Sequence, residues 1–219
     1  MLLNRKRVKF WQKIVFGFMA ALMASFLIFG YSGIASGCSH SSGLNSGNST
    51  LDSQLKAALK QLAKNPQNAT ALKSAAQAYS AAGAVSTGAV PTSQQTTDLT
   101  KAIAYYERYI KLPDAKLGST APGLRVQALQ AEAVLYSELI DYKSAVAVYQ
   151  RALKITPGDS QLYLNIATNE IYAGDKTAAI KAYKKFLAID PKSQFASQVK
   201  TALTALQSSA SPSPSPSAS

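Results

Sequence analysis

Four pairs of residues stand 34 positions apart and constrain this chain more than any other feature: Ala145 and Ala179, Tyr149 and Tyr183, Leu153 and Leu187, Pro157 and Pro191. A fixed period of that length means one supersecondary unit used more than once. Within each unit the spacing is helical. Ala145, Tyr149, Ala152 and Leu153 fall on one stripe, as do Ala179, Tyr183, Phe186 and Leu187. Small residues let two helices approach, the aromatic fills the gap beside them, and the proline stops the helix and opens the next unit.

The segments KSAVAVYQRALKITP and KTAAIKAYKKFLAIDP resemble the second helix of the tetratricopeptide repeat family, with its small residue, aromatic, small residue and closing proline. In the preceding helices Leu129, Ala133 and Tyr136 take the family's apolar, small and aromatic places in the upper unit, and Tyr163, Ile166 and Ala167 correspond in the lower one. Glu170 stands where an aromatic is usual, and Phe186 replaces a small residue, which marks the lower unit as a terminal repeat. Downstream, Ser193 can cap a closing helix whose Phe195, Val199, Leu203 and Leu206 form one apolar stripe.

Upstream, NPQNATALKSAAQAYSAAG carries Leu72, Ala75, Ala76, Tyr79 and Gly83, much like a first helix, and KAIAYYERYIKLP looks like its partner. Residues 84–98, with Gly88, Pro91 and several Ser and Thr, lengthen the turn between them, and a loop that long inside a repeat is either disordered or functional. A helix over Leu51–Lys64 places Leu51, Leu55, Ala58, Leu59 and Leu62 on one side and covers the first hairpin. The resemblance implies an all-α fold, a short solenoid of about three hairpins over 51–207, and the residues before it add an N-terminal transmembrane helix. The hairpins fall at about 68–113, 124–157 and 160–191, and the closing helix at 192–207.

Residues 14–34 hold no charge, and 21 helical residues reach about 31 Å, enough for a bilayer core. Five basic residues (Arg5, Lys6, Arg7, Lys9, Lys13) precede them, and no Lys or Arg follows until Lys56. This asymmetry predicts a cytoplasmic segment over 1–13, a signal anchor over 14–34, and an extracytoplasmic helical domain. Ala35-Ser36-Gly37-Cys38 also resembles a bacterial lipoprotein signal whose cysteine is lipidated, although Ala35 stands where that motif prefers a branched aliphatic residue. Cleavage with lipidation of Cys38, and cleavage with free secretion, remain alternatives to the anchor. Residues 35–50 read as a flexible Ser/Gly/Asn linker and 208–219 as a disordered Ser-Pro tail.

Chemistry has few residues to carry it. The one cysteine, Cys38, and the one histidine, His40, lie in the linker, and no phosphate loop, metal-ligand spacing or paired carboxylates occur. The expectation is no enzyme, no cofactor, no metal and no nucleic-acid partner. Beyond the N-terminal run, 18 basic residues against 11 acidic ones leave +7, which on exposed helix faces reads first as a solvated surface, with attraction to an anionic partner or surface as the alternative.

The resemblance further implies a concave groove lined by the first helix of each hairpin. Its positions here are Lys73, Gln77 and Ser80, then Gln127, Gln130, Val134 and Glu138, then Gln161, Leu164, Thr168 and Tyr172. This set lacks the Lys/Asn/Arg clamp by which some relatives hold a C-terminal carboxylate. Hydrogen bonding to a protein or peptide partner is expected instead, with Leu164 and Tyr172 as apolar anchors or as packing against the closing helix. The competing reading is a self-associating structural spacer of the cell envelope.

Overall fold

Short polar side chains set the helix boundaries by satisfying backbone amides that would otherwise lack a partner. The computed structural model describes residues 46–86 and 88–210, which form nine helices and no strand. They are α1 (Ser46–Lys64), α2 (Ala69–Ala82), α3 (Ser93–Ile110), α4 (Asp114–Leu117), α5 (Ala121–Glu138), α6 (Tyr142–Ile155), α7 (Ser160–Ala173), α8 (Lys176–Ile189) and α9 (Ala196–Ala210). Asn68 accepts from the Ala71 amide to open α2, and Asp141 from Ser144 to open α6. Asp159 accepts from Gln161 and Leu162 at α7, and Asp175 from Ala178 at α8. Gly174, at φ 85°, closes α7 in the left-handed conformation that glycine adopts without a Cβ penalty.

Packing follows chain order. α2 pairs with α3, α5 with α6 and α7 with α8, while α1 leans on α2, α3 on α5, α6 on α7 and α9 on α8. Each unit therefore rests on its neighbours, as in a quasi-one-dimensional stack. The period seen in the sequence is the core: Ala145 and Ala179 have no exposed surface, and Tyr149 and Tyr183 are buried beside them. Leu72, Leu99, Leu129, Leu135, Leu162, Leu164 and Phe186 are also fully buried. Burying one such side chain contributes about 1.5–3 kcal/mol, against tenths for a typical helix-propensity difference, so packing rather than propensity holds the stack.

Four boundaries differ from the expected ones. α1 begins at Ser46, so five residues assigned to the linker are helical, and α9 runs to Ala210, into the assigned tail. Extending an existing helix adds a hydrogen bond for each residue fixed, and no proline intervenes at either place. The loop of the first hairpin is also shorter than 84–98 because α3 starts at Ser93. Thr92 accepts from the Gln95 amide while the Gln95 side chain accepts from the Thr92 amide, a reciprocal cap that starts the helix early. The Gln95 amide side chain also donates to Ala84 O at 2.7 Å, which ties the loop down. The closing helix starts at Ala196, three residues after Ser193, whose Oγ accepts from the Phe195 amide in the preceding turn.

Among the described residues no helix is long and apolar enough to cross a membrane. The expected anchor at 14–34, its alternative at Cys38, and most of the linker and tail lie outside the described residues.

Candidate partner-binding face

The three first helices, α2, α5 and α7, carry the residues expected to face a partner. On α2, Gln77 is exposed and Lys73 and Ser80 are half-buried; on α5, Gln127 is exposed while Gln130, Val134 and Glu138 are half-buried. On α7, Gln161, Thr168 and Tyr172 are half-buried. Of the two readings open for Leu164, anchor or packing residue, its burial selects packing. It has no exposed surface, so it fills the core of the third hairpin and cannot anchor a partner. Tyr172 is partly committed as well, its ring stacking on Tyr142 with centroids 5.0 Å apart.

One cleft gathers Lys73 and Gln77. It measures about 360 Å³, with α2 forming one wall through Lys73, Ser74 and Gln77, and Tyr109 of α3 also in its lining. The rest of the lining includes Lys116 and Leu117 of α4, in the connector between α3 and α5, and Leu124 of α5. Arg125 holds that connector in place. Its Nε donates to Ile110 O at 3.1 Å, Nη2 donates to Leu112 O, and Nη1 pairs with the Asp114 carboxylate. The connector is a strap outside the 34-residue pattern, which is why sequence periodicity alone did not mark Lys116 or Leu117.

Between the second and third hairpins runs a polar seam. The Ser137 hydroxyl lies 2.7 Å from Asn169 Oδ1, the Asn169 amide donates to Asn165 O, and Gln161 donates to Asn165 Oδ1 at 3.0 Å. Asn169 is only 7% exposed, so these bonds satisfy a polar group inside the interface of two first helices. The Thr168 hydroxyl is likewise turned inward, donating to Leu164 O at 3.0 Å.

A charged network joins the first two hairpins. Arg151 Nη1 lies 2.8 Å from Glu107 Oε1 and 3.1 Å from Glu132 Oε1, and Lys111 closes on Glu107 Oε2 at 2.8 Å. Glu132 Oε2 is buried with no hydrogen-bond partner. Burial, then repulsion from the Glu107 carboxylate, pushes Glu132 up to about 7. Burial also acts upward on Glu107, but hydrogen bonds from Lys111 and Arg151 outweigh it and bring that carboxyl down to about 2. Glu138, whose Oε2 is buried without a partner, is raised to about 7 by burial. The sequence held one signal for Glu132: it falls on the stripe of Val126, Leu129, Ala133 and Tyr136, where a lone carboxylate is out of place.

These elements define a stack of helical hairpins with polar side chains along its first helices. Residues 126–159 and 160–193 match the tetratricopeptide repeat family, so the second and third hairpins are tetratricopeptide repeats. Those two segments make up less than half of the chain. No curated protein matches it. Among solved structures, the crystal structure of MamA is similar, with a TM-score of 0.52 and 17% identity over 74% of this chain and 85% of that one. A crystal structure of MamA protein aligns at 20% identity over 66% of this chain and 85% of that one, with a TM-score of 0.29. At 17% identity, the first likeness shows a shared fold and nothing further.

Proposed function

We propose that this chain is a non-enzymatic scaffold, anchored in a membrane through residues 14–34, whose repeat stack holds a protein or peptide partner on the extracytoplasmic side. The observation that carries the reading is the set of accessible polar side chains on successive first helices, Lys73 and Gln77 on α2 and Gln127 and Gln130 on α5, mounted on fully packed hairpins. A surface of this kind offers hydrogen bonds to an incoming chain at little ordering cost to itself. The charge asymmetry about residues 14–34 supports the orientation, and lipidation at Cys38 is the alternative mode of attachment.

Site-specific photocrosslinking in living cells tests the binding face. A photoreactive amino acid at Gln127 or Gln130 should capture a discrete partner, whereas one at the exposed Lys184 of α8 should not. Capture from Lys184 alone would overturn the site. Protease added to spheroplasts should cleave the helical domain, and complete protection of that domain would overturn the orientation.

A further inference from the structure

The cleft between α2, the α4 strap and the start of α5 has a chemistry more specific than that of the face around it. Lys73 of α2 and Lys116 of α4 both line it, and no carboxylate does. Neither ammonium group has an ion-pair partner among the described residues. The acid nearest Lys116 in sequence, Asp114, is already paired with Arg125. Ser74 and Gln77 add hydrogen-bonding groups from α2, and half-buried Leu124, with the edge of the largely buried Leu117, adds apolar surface. A volume of about 360 Å³ equals the share of roughly a dozen liquid waters, room for a pair of side chains and too little for a folded element.

We infer that this cleft receives an internal Asp or Glu of a partner protein together with an adjacent aliphatic side chain. The carboxylate sits between the two lysines, and the aliphatic group lies against Leu124 and the exposed edge of Leu117. Two cations lining one cleft with no acid beside them favour an anion there, so the partner's acid supplies the complementary charge. The two leucines beside them fit a neighbouring apolar residue, which makes the recognised unit a pair. Lys116 and Leu117 come from the strap and not from the repeats, so the preference belongs to this chain. The inference rests on the peptide-binding reading above and adds the partner's chemistry to it.

Phage display against the purified full chain in detergent tests both levels separately. Displayed peptides are joined to the coat protein at their C-termini and so offer no free terminal carboxylate. Selection should enrich peptides with an acidic residue next to Leu, Ile or Val. A synthetic, C-amidated copy of an enriched peptide should bind Lys73→Ser/Lys116→Ser at least about tenfold more weakly than wild type, equivalent to about 1.4 kcal/mol. It should bind Lys184→Ser/Lys185→Ser as wild type does, which separates the cleft from net charge. All three proteins should melt within a few degrees of one another, since Lys116, Lys184 and Lys185 are exposed and Lys73 is only half-buried. Enrichment of peptides without an acid, or equal binding by Lys73→Ser/Lys116→Ser, overturns the cleft assignment and leaves peptide binding standing. No enrichment of any sequence overturns both.

Discussion

Oε1 of Glu132 lies 3.1 Å from Nη1 of Arg151, and the carboxylate is 1% exposed while the guanidinium is 39% exposed. One member of the pair is thus inside the stack and the other at its edge, with Glu107 of the first hairpin sharing the same nitrogen. A carboxyl raised from 4.5 to about 7 prefers its proton in the fold. That contribution is fully present below the ordinary carboxylate value and is lost as pH rises toward 7. Glu138, raised to about 7, acts in the same direction. Glu107 runs the other way, since its contribution is lost only as pH falls from 4.5 toward 2. Wild-type stability by urea unfolding should therefore fall by about 1–3 kcal/mol between about pH 5 and pH 8. Glu132→Gln should show a smaller fall; an identical fall in the variant would contradict the buried, raised carboxyl.

Gly83 sits where α2 meets α3, and a Cβ there would stand 2.9 Å from both the Leu99 amide nitrogen and Leu99 Cγ. Alanine would gain somewhat under 1 kcal/mol from a stiffer unfolded chain. The contact is with backbone, which cannot rotate away, so overpacking wins. Gly83→Ala should lose about 1–3 kcal/mol in denaturant unfolding, and an unchanged midpoint would mean that the hairpins are not in close approach there.

Leu164 and Gln127 separate core from surface among the residues read as facing a partner. Leu164→Ala removes a side chain with no exposed surface and should cost about 2–5 kcal/mol. Gln127→Ala, at an exposed position, should stay within about 0.5 kcal/mol of wild type. Equal effects would return Leu164 to the binding face.

Arg125 ties the α4 strap through two carbonyls and Asp114, beside the buried Leu112 and Leu117. Arg125→Met should leave the overall melt within a few degrees but open the strap to limited proteolysis at Lys116. Cleavage there at the wild-type rate would show that the strap is held by other contacts.

Much of the stack was legible because tetratricopeptide packing depends on a few residues at fixed spacing, and Ala145, Tyr149, Ala179 and Tyr183 announce it directly. The early start of α3 was legible in principle, since Thr92 and Gln95 carry the spacing of a reciprocal cap. For Leu164 the family position left anchor and packing open, and only its burial in the fold selects packing. The cleft could not be read from periodicity. Lys73 and Lys116 are far apart in sequence, and the second belongs to a strap whose path is set by Arg125 hydrogen bonding to backbone carbonyls, a contact that no local pattern records.

Recovery of partners from membrane extract tests the central claim most directly. Full-length tagged chain and a Lys73→Ser/Gln77→Ala/Gln127→Ala/Gln130→Ala variant with the same thermal melt would be compared by quantitative mass spectrometry. The account predicts at least one protein held in near-stoichiometric amount by the wild type and reduced about tenfold or more with the variant. Equal recovery of every protein by the two forms would contradict it.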